Sequence, residues 1–198
     1  MIPKLTKVLS HRGLGGLETL CGIPCTIGGA TIKNAGCFGS TIGDLVSKIY
    51  CIDPLTLKSI VLRKKDLSYS YRSSGERLKN LVILYVELEL TKTNEDLGAK
   101  IKEFTRLRRN TQPSAPSLGS VFLRPETNVS AGFLIDKLGL KGTSIGGAQI
   151  SKTHANFIVN LGDATSKDYL DLIELCRCMV KKKYNVDLKK EIDIVGED

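Results

Sequence analysis

No apolar run in this sequence approaches the ~20 residues that a membrane-spanning helix needs. The opening, Met1-Ile2-Pro3-Lys4-Leu5-Thr6-Lys7, has no apolar core followed by a small-residue cleavage site. A secretory signal is therefore not expected, and a cytoplasmic location is. Histidine is scarce, with His11 and His154 the only two in 198 residues. Cysteines occur at positions 21, 25, 37, 51, 176 and 178, without a Cys-x-x-Cys pair. Those spacings do not read as a zinc site, so no metal is expected, and reduced thiols are the default in a chain of this kind. The Walker lysine motif and the Gly-x-Gly-x-x-Gly dinucleotide pattern are both missing. Internal repeats and low-complexity tracts are missing too.

What is present is a basic, globular composition. Hydrophobic residues make up 41%, and 29 Lys and Arg against 21 Asp and Glu leave a net charge of +8. The basic clusters, such as Arg63-Lys64-Lys65 and Lys181-Lys182-Lys183, are scattered among acidic residues. Neither zinc-finger spacing nor an aromatic-studded RNA-binding motif accompanies them, so nucleic acid is not an expected partner. An anionic small molecule would use a few of these charges and leave the rest in water. The length suits one large domain or two small ones.

Leu5, Val8 and Leu9 predict a short opening helix that stops at Gly13. Glycine-rich irregular backbone is expected from Gly13 to Gly43. Val46 to Ile52 and Leu57 to Leu62 read as strands joined across Asp53-Pro54. Leu81 to Leu90 alternates, with Val82, Leu84, Val86, Leu88 and Leu90 on one face, and predicts a half-buried strand. Asn94 is placed as the cap of a helix running to about Arg109, with Leu97, Ile101, Phe104 and Arg108 on one face. The change of pattern near residue 94 is the expected domain boundary. Ser130 caps a short helix ending at Gly139. Ile145 to Ile150 and Phe157 to Asn160 read as strands. Thr165-Ser166-Lys167-Asp168 fits a capping box ahead of a long helix whose stripe is Tyr169, Leu172, Ile173, Cys176 and Val180. Ile192 to Val195 is expected to close the chain as a strand. Strands mixed with helices, without regular βαβ alternation, indicate an α+β fold.

The glycines between Gly22 and Gly39 allow close backbone approach and expose N–H groups to phosphate oxygens, or serve as ordinary turns. Tyr71-Arg72 offers a planar guanidinium, which a lysine would not. Ser120 follows a glycine in Pro116-Ser117-Leu118-Gly119-Ser120-Val121-Phe122-Leu123-Arg124-Pro125. Taken alone, it is a hydroxyl in a turn entering a strand.

The segments Gly22-Ile23-Pro24-Cys25-Thr26-Ile27-Gly28-Gly29-Ala30, Asn34-Ala35-Gly36-Cys37-Phe38-Gly39, Tyr71-Arg72-Ser73-Ser74, the Ser120 run, Ile145-Gly146-Gly147-Ala148-Gln149, His154-Ala155-Asn156-Phe157 and Glu191-Ile192 occur in this order. Together they resemble the UDP-N-acetylenolpyruvoylglucosamine reductase family of bacterial cell-wall synthesis. The resemblance implies an oxidoreductase, a UDP-N-acetylmuramate dehydrogenase, that uses FAD with NADPH as hydride donor. Its substrate would be UDP-N-acetylglucosamine enolpyruvate. It implies that residues 1–93 are the later part of a second FAD-binding (PCMH-type) α+β subdomain, and that residues 94–198 are an α+β substrate-binding domain. Relative to the family, an N-terminal FAD-binding portion is expected to be missing. The alternatives are a non-catalytic UDP-sugar-binding module and one half of a split reductase, partnered by a separately encoded N-terminal flavin domain.

Residue by residue, the resemblance implies catalytic roles for Ser120 as proton donor, Arg72 against the enolpyruvyl carboxylate and Glu191 near the chain's end. It implies flavin contacts at Gly22, Ile23, Pro24, Thr26, Gly28, Gly29, Asn34, Ala35 and Gly36. Substrate contacts would come from Tyr71, Arg124 and His154. Cys25 stands where the family usually has glycine, which predicts crowding of the cofactor or an altered backbone angle there.

Overall fold

The computed structural model describes residues 1–127 and 129–196. It is an α+β protein of two compact units, Met1–Arg108 and Arg109–Asp198. The change of pattern near residue 94 marks the passage from strand to helix, whereas the packing divides after Arg108.

The first unit opens with α1 (Ile2–Ser10), with Pro3 in the first turn, where a missing N–H costs nothing. Its buried positions are Ile2 and Thr6, and the Thr6 hydroxyl donates to the Ile2 carbonyl at 3.0 Å. Leu5 and Leu9 pack beside them, while Val8 is exposed. After β1 (Leu14–Gly15), the stretch expected to be irregular contains a helix, α2 (Ile27–Ile32). Thr26 caps it, accepting from the Gly29 amide at 3.0 Å. Two glycines in six residues hide such a helix from propensity, and the cap sustains it. A small hairpin of β2 (Gly36–Cys37) and β3 (Ser40–Thr41) follows.

The central sheet of this unit has the order β5-β4-β6, all antiparallel: β4 (Val46–Ile52), β5 (Ser59–Arg63) and β6 (Val82–Leu88). The expected alternation along β6 is corrected by its pairing. Register shifts between Val46 and Lys48, and between Tyr50 and Cys51, each insert one unpaired residue. A one-residue slip reverses the facing of every side chain beyond it. Ile83, Val86 and Leu88 consequently lie opposite buried Cys51, Ile49 and Val46, and Val82 and Leu84 point outward. Then β7 (Thr91–Lys92) pairs with β1. The following helix, α3 (Leu97–Thr111), is capped by Asp96 rather than Asn94, since the Asp96 carboxylate accepts from the Ala99 amide at 2.9 Å. Leu97 is buried, and Phe104 stacks on Phe38 at 5.3 Å.

The second unit is built on a four-stranded antiparallel sheet, order β8-β11-β10-β9: β8 (Ser117–Ser120), β9 (Ser144–Ile145), β10 (Ala148–Ile150) and β11 (Phe157–Asn160). The single strand expected over 145–150 is a hairpin, because Gly146, at φ +51°, turns the chain. Two helices, α4 (Ala131–Lys137) and α5 (Ser166–Tyr184), supply the core that covers the sheet. Ser130 caps α4 and Gly139 follows it at φ +71°. Thr165 and Asp168 form the capping box of α5, whose Leu172, Ile173, Cys176 and Val180 are buried. Burial pushes the Cys176 thiol up to about 12. Among the described residues 192–196 contain no strand; Ile194 and Val195 are exposed. The closing pairing lies slightly earlier, at Lys190 opposite Phe122.

Candidate functional site

In the first unit, Asn34 organises the glycine-rich segment. It is buried at 5% exposure and adopts φ +42°. Its carboxamide oxygen accepts from the Gly43 amide at 3.0 Å, and its nitrogen donates to the Ser70 carbonyl at 2.8 Å. One side chain thus ties the Asn34–Gly36 loop to the Ser70–Ser73 turn. Gly43 is needed beneath it, since a Cβ there would lie 2.7 Å from both the Asn34 carboxamide oxygen and the Tyr69 ring.

Tyr71 and Arg72 form the tip of that turn. The Ser70 and Ser73 backbones exchange hydrogen bonds of 2.9 and 3.2 Å. Arg72 sits at φ +55°, where glycine or asparagine would be less strained. Its guanidinium donates to the Gly36 carbonyl at 3.3 Å and lies 5.3 Å from the Tyr71 ring centroid. A fixed cation is therefore held against the end of the glycine-rich loop. Tyr71 is 56% exposed.

The other residues of the segment divide. Ile23 and Ala35 pack on the hydrophobic core. Gly22 lies under Arg108, whose side chain would collide with a Cβ there. Pro24, Thr26 and Gly29 are exposed, and a Cβ at Gly28 would meet only Ile83, at 4.0 Å. The first turn of α2 presents the Ile27 and Gly28 amides, which no carbonyl of the helix can accept. Open glycine backbone beside amides that the helix itself cannot pair suits the close approach of an anionic cofactor group. Cys25 does not adopt the left-handed conformation that favours glycine. It packs against the core, and burial pushes its thiol up.

In the second unit, the glycine before Ser120 has a clear purpose. Ser117 pairs with Val159 and Ser120 with Phe157, so Leu118 and Gly119 oppose Ile158 alone. Gly119 takes φ +76°, with nothing within 4 Å of where a Cβ would stand. This is a glycine bulge, a device that re-aims the next side chain. Beyond Ser120 the chain runs between two neighbours. On one side, the Val121 amide donates to the Asn156 carbonyl at 2.9 Å. On the other, the Glu191 amide donates to the Val121 carbonyl at 2.8 Å, and the Leu123 amide to the Lys189 carbonyl at 2.9 Å. Ser120 and Glu191, far apart in sequence, are thereby brought onto adjoining stretches of backbone. Glu191 is half-buried and Arg124 is exposed.

His154 is half-buried and accepts the Asn156 amide at Nδ1, 3.2 Å away. That bond fixes the neutral tautomer with its proton on Nε2. Burial holds its pKa below the ordinary histidine value. The ring meets Phe157 edge-on at 4.8 Å, and a Cβ on Gly132 would come within 3.2 Å of it.

The Gly146-Gly147 pair has a packing role. A Cβ on Gly146 would collide with the Asp168 carboxylate, and one on Gly147 with the backbone before α5. The Gly147 amide donates to Asp168 at 3.2 Å, seating the hairpin on the capping box. Asn156 holds both backbone groups of Phe122 with its carboxamide, a role that no motif in the sequence assigned. The signal was a polar residue inside the apolar run Ala155 to Val159. Among the described residues, no group of three or more His, Cys, Asp or Glu could hold a metal, and no helix is long and apolar enough to cross a membrane.

A family model for the C-terminal domain of UDP-N-acetylenolpyruvoylglucosamine reductase matches residues 112–195. The reductase of Francisella tularensis is 39% identical over 96% of the chain and 68% of its own length. The chain belongs to the UDP-N-acetylenolpyruvoylglucosamine reductase family. The reductase of Halalkalibacterium halodurans is 41% identical over 99% of the chain, and that of a Thermotoga strain is 40% identical over 98%. The chain spans 65% and 64% of the lengths of those two relatives. The crystal structure of the reductase from Thermus caldophilus superposes with a TM-score of 0.81 at 34% identity, covering 94% of this chain and 67% of that one. The Ser120 bulge and the Glu191 pairing both fall within the matched domain of the reductase family.

Proposed function

We propose that the chain carries substrate-site and flavin-site residues of an NADPH- and FAD-dependent reductase that converts UDP-N-acetylglucosamine enolpyruvate to UDP-N-acetylmuramate. The observation that carries the reading is the joint placement of Ser120 and Glu191, one behind a glycine bulge and the other paired to the next residue. Bound FAD would supply the hydride, originating from NADPH, for the terminal carbon of the enolpyruvyl ether. The protein's part is position and charge. As negative charge builds on the neighbouring carbon and its carboxylate, the Arg72 guanidinium pairs with that carboxylate. Ser120 Oγ donates its proton to the carbon next to the carboxylate, and solvent restores the proton. Glu191 holds or polarises the carboxylate end of the substrate. Tyr71, Arg124 and His154 contact the substrate, and His154, kept neutral, does so through Nε2–H. The Ile27 and Gly28 amides, beside the open backbone of Gly28 and Gly29, would hold part of the flavin.

Titration calorimetry with the enolpyruvyl substrate and with UDP alone tests the reading. The enolpyruvyl compound is expected to bind more tightly, and Arg72→Ala to erase the difference. Equal affinity in the unmodified protein would contradict an assembled carboxylate site.

A further inference from the structure

We propose that Asn156 is a positioning residue for Ser120 and Glu191, acting through the backbone of Phe122. The inference rests on the reductase reading for what Ser120 does, but not for how Ser120 is held.

The regular ladder between β8 and β11 ends at the Ser120–Phe157 pair. One residue further, the Asn156 side chain takes over from backbone. Its oxygen accepts from the Phe122 amide at 3.0 Å, and its nitrogen donates to the Phe122 carbonyl at 2.9 Å. The orientation of the carboxamide is fixed by chemistry, because Phe122 offers one donor and one acceptor. Asn156 is 9% exposed and Phe122 2%, so these groups lie out of reach of bulk water. The Asn156 carbonyl also receives the Val121 amide, and its own amide is tied to His154 Nδ1. Every polar group of Asn156 therefore bears on residues 121–122 or on His154. Residues 121–123 in turn carry the pairing with 189–191 that places Glu191. A buried backbone pair left unsatisfied would shift or loosen, and Ser120 and Glu191 would move with it.

The test exploits a carboxyl that can imitate the amide only when protonated. In Asn156→Asp, the ionised side chain still accepts from the Phe122 amide but faces the Phe122 carbonyl without a donor. Protonated, it regains both bonds. In flavin-loaded protein containing this chain, reoxidation of reduced flavin by the enolpyruvyl substrate is measured against the parent at each pH. At about pH 8, the variant should be slower by roughly tenfold, the size of one lost hydrogen bond. The deficit should shrink as the pH falls towards the raised pKa of a buried carboxyl. The loss should fall more heavily on this half-reaction than on flavin reduction by NADPH. A general loss of fold stability would slow both half-reactions alike. Parent-rate reoxidation at about pH 8 overturns the proposal.

Amide hydrogen exchange in the unmodified chain gives a second test that needs no activity. The Phe122 amide should exchange as slowly as the Val121 amide. Exchange at the rate of an unprotected amide overturns the proposal even if the reductase reading holds. A parent rate in Ser120→Ala would instead sink the proton-donor reading and leave the exchange result standing.

Discussion

Replacing Gly119 by the two mirror forms of alanine isolates the conformation that aims Ser120. The residue stands at φ +76°, and a Cβ there would touch nothing within 4 Å. No steric collision therefore contributes, and the cost of L-alanine is the intrinsic penalty of the left-handed region, ~1–2 kcal/mol. D-alanine favours that region. Both variants reduce the freedom of the unfolded chain by the same ~0.4–1 kcal/mol, so this contribution cancels between them. The D-alanine protein should be more stable than the L-alanine protein by ~1–2 kcal/mol, with wild type between them. The change lies in a unit of about 90 residues, so the two should differ in Tm by several degrees. Ligating a synthetic C-terminal segment supplies the D residue, and calorimetry reads the transitions. L-alanine should also slow the substrate half-reaction, because relaxing the bulge turns Ser120 away. Equal melting of the two variants would refute the bulge and, with it, the account of how Ser120 is presented.

Gly147→Ala, by contrast, drives a methyl into the backbone before α5 and should cost ~1–3 kcal/mol or more, measurable by urea denaturation. Thr165→Ala removes the hydroxyl that accepts the Asp168 amide at 3.2 Å and should cost ~1 kcal/mol in the same assay. His154 is held below its ordinary pKa by burial, so the unfolded chain takes up its proton first as pH falls. Its contribution is complete above the unfolded value of ~6.5 and is lost as pH drops below that. His154→Gln should flatten the fall in Tm across this window, leaving the steeper loss below about pH 4, where Asp168 and other hydrogen-bonded carboxylates protonate.

Features set by local chemistry were legible in the sequence. The caps at Ser130 and Thr165, the Asp53-Pro54 turn and the stripe of α5 each depend on residues within a few positions of one another. The bulges in β6 and β8 were not legible, because a register shift is decided by the partner strand. Helix α2 was hidden by Gly28 and Gly29. The cap of α3 was displaced because Asn94 and Asp96 both suit the position and only the fold selects one. Arg72, Ser120 and Glu191 were singled out by resemblance. What the residues could not declare was that Ser120 and Glu191 meet through the pairing of 121–123 with 189–191. Nor could they declare that Asn156 and Asn34 spend both ends of their amides on backbone.

The central claim is that Ser120 delivers a proton to the substrate carbon. Stopped-flow absorbance on flavin-loaded Ser120→Ala protein tests it most directly. NADPH should still reduce the flavin at close to the parent rate, since that step protonates no substrate carbon. Reoxidation by UDP-N-acetylglucosamine enolpyruvate should slow by roughly 10²–10⁴-fold, as expected for a lost general acid. Reoxidation at the parent rate would contradict the account.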